Sequence, residues 1–512
     1  MRRHLLALTL AGAALGAPGV ARAEGDSMRY EDEQEPHYFR SMFEIGAILT
    51  IGNVDYLLNT TARGGTAHAG DKLWDLRYDW PTFRQKLTGE LWRVDTNQFN
   101  TNYVSHPLAG ALYYTAARSN HLTWLESYAF ATLGSFAWEY FAELREVVSV
   151  NDAVVTPVAG WALGETSMQL GDFFSRSRGT LPNRALAALL APLRAINDLA
   201  DGGRPRRDED LDAWGLTRQV WHRFEVGAGG RATIQQGATR DSTLYGAPRL
   251  VLDLTLVNLP GYEAQGQTTK GFNDGNLTRI SLDAAWAGGR VTDFAFMART
   301  VPVGLYVHDV HSDGWGGVEG STGILGLAGV FEYTVHDYDR DQSRPLDIVS
   351  IVSPIGVYGE YTYRRGWARI RPELMILGDF AGVTAYGLES WRGRNGVAVE
   401  IPSVLVEKGY YHGVGATASG SLALGIGPLE VGGRARVDTI RLLEGYDEKP
   451  RAPQLSIADR RVVGGVWAGV TIPSTGWGIR LDAETRQREG NVGDGRASQS
   501  EVAFMGMTSW RF

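Results

Sequence analysis

The second half of the chain alternates hydrophobic and polar residues with a period of two. The segment 249–257 places leucine at every second position from Leu250 to Leu256, and Arg249 and Asp253 fall on the other face. The segment 477–486 repeats this arrangement. A period of two is typical of β-strands whose two faces meet different surroundings. We therefore predict that the region after residue 220 is built from β-strands.

The polar faces of these predicted strands carry charges of both signs. A water-soluble sandwich also alternates, but mixed charges suit the interior of a barrel, where opposite charges can pair. The charged residues predicted to face this interior are Arg369, Arg371, Glu373, Arg434, Arg436, Asp438, Arg480, Asp482, Glu484 and Arg486.

The chain ends on an apolar face formed by Val502, Phe504, Trp510 and Phe512. This ending resembles the last strand of bacterial outer-membrane barrels, in which a terminal phenylalanine is read by the insertion machinery. We interpret Trp510 and Phe512 as this signal and expect the barrel-insertion machinery to be a partner. Because a sheet in lipid cannot leave an edge unpaired, the strands are expected to close.

We therefore predict an antiparallel transmembrane β-barrel of about twelve strands within residues 221–512. An even number puts both ends of the barrel chain in the periplasm. The segment 259–276 is too long for the short turn due at its position, so either a strand is miscounted or one periplasmic loop is unusual. The predicted strands are 223–236, 246–258, 277–288, 290–303, 322–337, 346–364, 366–380, 409–425, 427–441, 459–472, 476–489 and 499–512.

The first half of the chain has the spacing of helices instead, which makes the fold class an α+β membrane protein. Pro107 suits the first turn of a helix, and Pro192 is expected to kink one. Predicted helices cover 42–62, 107–118, 122–147, 153–165 and 184–199. The chain is divided into a signal peptide at 1–23, an acidic loose segment at 24–37, a helical domain at 38–200, a charged linker at 201–220 and the barrel at 221–512.

The first residues predict where the protein works. Arg2 and Arg3 precede an uncharged apolar run, and Ala21-Arg22-Ala23 forms a small-x-small cleavage site. This is typical of a cleavable secretory signal, so we expect a protein of the bacterial outer membrane. The chain has no cysteine, which excludes disulfides and thiolate metal sites, and its net charge of −8 argues against a nucleic-acid partner. Its 64 glycines suit turns and barrel curvature, and its 15 tryptophans suit interfacial girdles.

An ordered set of motifs runs through the predicted helices. Its residues are His106-Pro107, Gly110, Tyr113-Tyr114, Ala117-Arg118-Ser119-Asn120, Ser135, Trp138-Glu139-Tyr140, Glu143, Ser149, Asn151-Asp152, Thr156-Pro157, Gly160 and Gly164-Glu165. This set resembles the bacterial outer-membrane family catalogued as domain of unknown function 3943, over about residues 90–200. His121 stands where that family usually has a glycine, and Val150 stands where it often has an isoleucine. The resemblance implies no activity.

Charged residues within these helices form a candidate site. Glu139 and Glu143 are four residues apart, so a helix would place both on one face, where they repel unless a cation compensates. The candidate catalytic residues are His106, Glu139, Glu143 and Asp152, and Arg118, Tyr114, Trp138, Asn151 and Glu165 are candidate binding or structural residues. The alternative is a buried ion-pair network that fixes helix packing. No short metal-binding motif is present, so we predict neither metal nor cofactor.

Two functions remain open, and a third class is a binding module for a periplasmic partner. The favoured hypothesis is a non-enzymatic outer-membrane barrel with a structural or transport-related role, in contact with outer-membrane lipid and lipopolysaccharide. Its helical domain is expected to sit at the periplasmic mouth or to plug the lumen. The alternative is an envelope enzyme that acts on lipid or lipopolysaccharide through the candidate catalytic residues.

Overall fold

The computed structural model describes residues 35–62, 76–77, 79–202, 207–236, 242–315, 317–337, 346–395, 404–444, 446 and 455–512. The predicted signal peptide and most of the acidic segment lie outside the described residues. No described helix is long and apolar enough to cross a membrane.

The helical domain contains four long helices that lie side by side. The bounds in chain order are α1 Tyr38–Ala62, α2 Trp80–Leu87, β1 Trp92–Arg93, a π-helical turn Thr101–Ser105, α3 His106–Arg118, α4 Trp124–Ala137, a second π-helical turn Trp138–Ala142, β2 Val148–Ser149, α5 Val150–Arg176, α6 Leu181–Leu190 and α7 Pro192–Ala200. Ser149 begins α5 by accepting a hydrogen bond from the Asp152 amide, as its position in the sequence suggests.

Twelve antiparallel strands close into the predicted barrel, and a thirteenth short strand joins its edge. The bounds are β3 Trp221–Gln236, β4 Ser242–Val257, β5 Gly266–Phe272, β6 Leu277–Ala287, β7 Arg290–Ser312, β8 Val318–His336, β9 Asp347–Gly366, β10 Ala368–Thr384, α8 Leu388–Asn395, α9 Val404–Lys408, β11 Tyr410–Ile426, β12 Leu429–Leu442, β13 Ile457–Thr471, β14 Trp477–Val492 and β15 Gly495–Arg511. The barrel closes because β15 pairs with β3 and β7 pairs with β8.

The predicted strand number is therefore confirmed, and the unusual segment is 259–276. It contains β5, which pairs with the second half of β7, whereas β6 pairs with the first half. The sequence of β5 does not alternate between polar and apolar residues, because every residue before Phe272 is polar or glycine. The two-residue pattern therefore did not predict this strand.

The outer face of the barrel is a band of exposed aliphatic and aromatic side chains. These include Leu250, Leu325, Leu327, Val357, Leu374, Ile376, Leu422, Leu424, Val466, Ile479, Leu481 and Phe504. The same strands point their charged residues inward, so the two-residue period separates an apolar exterior from a charged interior.

Ion pairs and inserted segments occupy the interior of the barrel within the part of the chain that the structure describes. Ion pairs cross it from wall to wall, as Arg436 of β12 does to Glu332 of β8 and Arg486 of β14 does to Asp293 of β7. At the end that holds the barrel termini, Tyr262 of the β4–β6 segment reaches in and donates a hydrogen bond to Glu360 at 2.7 Å. At the opposite end, which we call the loop end, Leu388 and Trp391 of α8 close the interior.

The helical domain lies against the outside of the barrel wall. Helix α5 packs Val155, Ala159 and Ala162 on outward-facing residues of β7 to β10, including Ala298, Phe331, Val352 and Phe380. Its last turn packs Phe173 and Phe174 on Phe224 and Leu256 at the termini end. The expectation of a helical domain at the barrel mouth or inside the lumen is therefore wrong. Sequence periodicity shows which face of a helix is apolar but not which surface of another domain covers it.

Two predicted helices also differ in the structure. The segment 122–147 is not one helix, because α4 ends at Ala137 and the chain widens into the π-helical turn that follows. Pro192 separates α6 from α7, since a proline cannot donate the hydrogen bond that would continue the helix.

Candidate functional site

The helices α3 and α5 run in the same direction and touch through glycine. A Cβ atom on Gly110 would overlap the backbone carbonyl of Thr156, and one on Gly160 would overlap the backbone of Gly110. One turn further along, a Cβ on Gly164 would overlap the ring of Tyr114. The glycines of the motif set therefore permit a backbone-to-backbone helix contact.

This parallel packing separates the predicted polar residues into two groups. His106 lies beside Asp152 at the start of both helices, and Arg118 lies beside Glu165 twelve and thirteen residues later. At 1.5 Å per residue, the two groups are about 18 Å apart. The residues proposed from the sequence as one site therefore form a network at the termini end and a separate cluster at the loop end.

The network around Glu165 has a partner for each carboxylate oxygen. Arg118 donates to both oxygens at 2.9 and 3.0 Å, and Tyr114 donates to one at 2.6 Å. Gln169 donates to the other at 2.6 Å, and Arg118 also reaches Asp274 of the β5–β6 connection at 2.9 Å. A buried carboxylate with this many donors suits a structural role, which joins α3 and α5 to the barrel.

The loop-end cluster is formed by Asp95, His106 and Asp152. The Nε2 atom of His106 lies 3.4 Å from an Asp152 carboxylate oxygen. The side-chain oxygen of Asn151 accepts a hydrogen bond from the backbone N–H of Asp95 at 2.9 Å. The side-chain nitrogen of Asn151 donates to the Asp152 carboxylate at 2.8 Å. The Asn102 amide donates to Asp95 as well. The Asn102 side chain therefore holds the Asp95 carboxylate, and the Asn151 side chain holds the Asp152 carboxylate.

Glu139 and Glu143 do not form the adjacent pair that a regular helix would give. Glu139 lies in the second π-helical turn, and Glu143 follows it with a non-helical backbone. Glu139 accepts from the Ser149 amide at 2.7 Å, and Glu143 accepts from the Trp138 indole at 2.9 Å. The Lys86 ammonium donates to the backbone carbonyls of both glutamates at 2.9 Å. A compensating cation is thus present, but it binds main-chain oxygens.

Burial governs the acidity of the loop-end groups. Burial and the nearby Glu146 carboxylate raise the pKa of Glu143 to about 8. Burial, then the carboxylate of Asp95, raises the pKa of Asp152 well above its usual range. Burial lowers the pKa of His106, against the opposing effect of Asp95. Removal from water disfavours the charged form of each group.

The barrel contributes residues that sequence reasoning missed. Tyr103 of the first π-helical turn packs on Gly382 of β10 and hydrogen-bonds His412 of β11 at 2.8 Å. Tyr410 donates to the carbonyl of Asn97 at 2.7 Å. One feature of the sequence could have indicated His412. It is a polar residue on the outward face of its strand, where the two-residue pattern otherwise places apolar or small residues.

The charged residues predicted to face the interior all have partners there. Arg369 and Arg371 share Glu430, and Glu373 pairs with Arg299 at 2.8 Å. The remaining pairs are Arg434 with Glu484, Arg436 with Asp438 and Glu332, Arg480 with Asp482, and Arg486 with Glu484 and Asp293. At the chain end, the Trp510 ring packs on Trp214 and the Phe512 ring on Phe224.

The fold defines a class, an outer-membrane-type β-barrel with a helical domain on its outer wall. Residues 91–193 match the model of a domain of unknown function, DUF3943. The matched region contains α3, α4 and α5, and with them both polar groups. The family predicted from the motif set is thus confirmed.

Solved structures with some likeness to this chain are bacterial outer-membrane proteins. A loop-deleted OmpT of Vibrio cholerae is 7% identical with a TM-score of 0.22, over 57% of this chain and 99% of its own. The translocator domain of the autotransporter NalP from Neisseria meningitidis is 12% identical with a TM-score of 0.21, over 62% and 94%. An outer-membrane channel from Pseudomonas putida F1 is 11% identical with a TM-score of 0.23, over 57% and 95%. No curated protein sequence matches this chain. At these TM-scores, none of the three structures informs the function.

Proposed function

We propose that the protein is an integral outer-membrane protein with a structural role, whose closed barrel holds the helical domain beside it in the bilayer. The observation that carries this proposal is that both parts of the molecule expose apolar side chains. Besides the exposed band of the barrel, α1 of the helical domain exposes Phe39, Met42, Phe43, Ile51 and Val54.

The neighbouring helix α4 supports the same placement. Its exposed large residues are Leu125 and Leu133, which are also apolar. Contiguous apolar patches of this kind are rare on the water-facing surface of a soluble domain. Lipid chains are therefore the proposed partner of this surface, and the termini end is proposed to face the periplasm.

The filled interior argues against transport through the barrel. The cross-wall ion pairs occupy the middle of the lumen, and inserted segments close both ends. The role proposed for the barrel is that of a scaffold. The enzymatic alternative receives less support, because Glu143 and Glu139 already accept hydrogen bonds from the Trp138 indole and the Ser149 backbone.

The absence of cysteine allows a direct test by single-cysteine labelling. In proteoliposomes, Phe43→Cys on α1 and Leu374→Cys on the barrel should both resist a water-soluble maleimide. Trp315→Cys, at a 94% exposed position in the β7–β8 connection, should react quickly and serves as the control. All three variants should react after denaturation. Fast labelling of Phe43→Cys with protected Leu374→Cys would place the helical domain in water and overturn the proposal.

A further inference from the structure

We propose that Asp95, His106 and Asp152 form a binding site for a divalent transition-metal ion. One nitrogen and two carboxylate oxygens from these residues lie within 4.8 Å of one another. The His106 nitrogen and the Asp152 oxygen are 3.4 Å apart. Two ligands of a tetrahedral ion, each about 2.0–2.2 Å from the metal, are separated by about this distance.

Buried atoms without hydrogen-bond partners provide a second and independent observation. The Asn102 and Glu139 residues are 0% and 1% exposed, and each has one side-chain oxygen that finds no hydrogen-bond partner among the residues that the structure describes. Asn102 is anchored by its amide to Asp95, and Glu139 by its other oxygen to Ser149, whose hydroxyl lies 3.5 Å from Asp95. The Asn102 oxygen therefore lies next to Asp95, and Glu139 is linked to Asp95 through Ser149. A buried acceptor without a donor is unfavourable, and a bound cation would satisfy it.

The charge balance of the cluster also favours a cation. Asp95, Glu139 and Asp152 bring three buried carboxylates together. Among the described residues, the nearby Lys86 has its ammonium on backbone carbonyls. A divalent ion would offset the buried negative charge where it is concentrated.

The donor set selects the class of ion. Calcium prefers a shell made only of oxygen ligands, whereas this cluster presents the imidazole nitrogen of His106. An imidazole nitrogen with few carboxylates suits zinc and its first-row neighbours. The ligands come from the β1 region and from the first turns of α3 and α5, which explains why the chain has no short metal-binding motif. A bound ion would connect these three segments.

Zinc titration of the full-length mature protein in detergent tests the proposal. After treatment with a chelator, calorimetry should show one zinc ion bound to the wild type, with much weaker calcium binding. His106→Ala and Asp152→Asn should each weaken zinc binding at least tenfold. The matched control is His311→Ala, which removes an exposed histidine at the end of β7 and should bind zinc like the wild type.

A stability readout keeps the test decisive. Zinc should raise the Tm of the wild type and of His311→Ala but not that of His106→Ala. The heat-dependent shift of the barrel in gel electrophoresis shows which variants have folded, and Asp95→Asn provides a milder third variant. The proposal fails if the wild type binds no zinc. It also fails if folded Asp95→Asn and Asp152→Asn both bind zinc with unchanged affinity.

Discussion

At the scale of single residues, glycine and one buried ion pair determine how the helical domain packs. Gly110 and Gly160 allow α3 and α5 to touch along their backbones. Arg118 and Glu165 then fix the far ends of the same two helices. Neither effect is visible in local helix propensity, since glycine disfavours a helix and a charge disfavours a buried position.

Replacing Gly110 with alanine should destabilise the helical domain by about 1–3 kcal/mol, because the new methyl group meets a backbone carbonyl that cannot move aside. Urea unfolding followed by tryptophan fluorescence measures this change. Gly46→Ala on α1 is the control, since nothing lies within 4 Å of its added Cβ. It should be neutral or stabilising by about 0.5–1 kcal/mol. Equal effects of the two substitutions would contradict the packing argument.

Removing one partner of the buried ion pair should be far more damaging than removing both. Arg118→Met leaves Glu165 buried, and we expect a loss of about 3–5 kcal/mol in unfolding free energy. The double variant Arg118→Met with Glu165→Met should recover much of this loss. The exposed pair of Arg392 and Glu389 provides the comparison, and Arg392→Ala should change stability by less than about 1 kcal/mol. A double variant as unstable as the sum of the single variants would exclude coupling.

At the scale of elements, the turn between α4 and α5 is the part that the sequence pattern described least well. A regular helix places Glu139 and Glu143 on one face, whereas here Glu139 lies in the π-helical turn and Glu143 follows it with a non-helical backbone. The turn brings Glu139 to the start of α5 and leaves Glu143 beside Trp138. Tertiary contacts with Lys86 and Ser149 therefore override the local period.

Glu143→Gln should stabilise the protein at pH 8 and have little effect at pH 4.5. Burial raises the pKa of Glu143 from its ordinary 4.5 to about 8, and Glu146, Asp95 and Lys86 are its charged neighbours. Between these values the unfolded chain releases a proton that the folded protein keeps. Stability should therefore fall as the pH rises through this window.

The measurement is the Tm of wild type and variant at both pH values, with a chelator present. Trp138, hydrogen-bonded to Glu143, offers a local fluorescence signal. A Tm difference that is the same at pH 4.5 and pH 8 would show that Glu143 does not titrate in this window.

At the scale of the whole molecule, the barrel and the helical domain both expose apolar side chains and meet along one long contact. Helix α5 runs along the wall from the aromatic residues near Tyr103 to those near Phe224. The charged residues of the strands are turned toward each other inside the barrel. The barrel is therefore apolar on its outer face and charged inside, which is the reverse of a soluble protein.

The filled lumen predicts that the purified protein conducts no ions in planar bilayers. Deleting residues 386–408 removes the closure made by α8, yet the ion pairs of Arg436 and Arg486 still cross the interior. We expect this deletion variant to remain closed as well. Steady conductance steps from the full-length protein, with gel shifts that show a folded barrel, would contradict the occluded structure.

The sequence by itself determined the barrel and the family. Strand alternation is a local property, because each residue's face follows from its neighbours two positions away, and it predicted twelve strands close to their observed bounds. The sequence alone also indicated candidate catalytic, binding or structural residues, among them His106, Arg118, Glu139, Asp152 and Glu165.

Only the tertiary structure decided how these parts meet. The parallel packing of α3 and α5 divided the polar residues into two groups, and the outer wall of the barrel, not its mouth, received the helical domain. Asp95, Asn102 and His412 joined the loop-end cluster from segments far apart in the chain. Contacts of this kind depend on the positions of whole elements in space, and no spacing along the sequence encodes them.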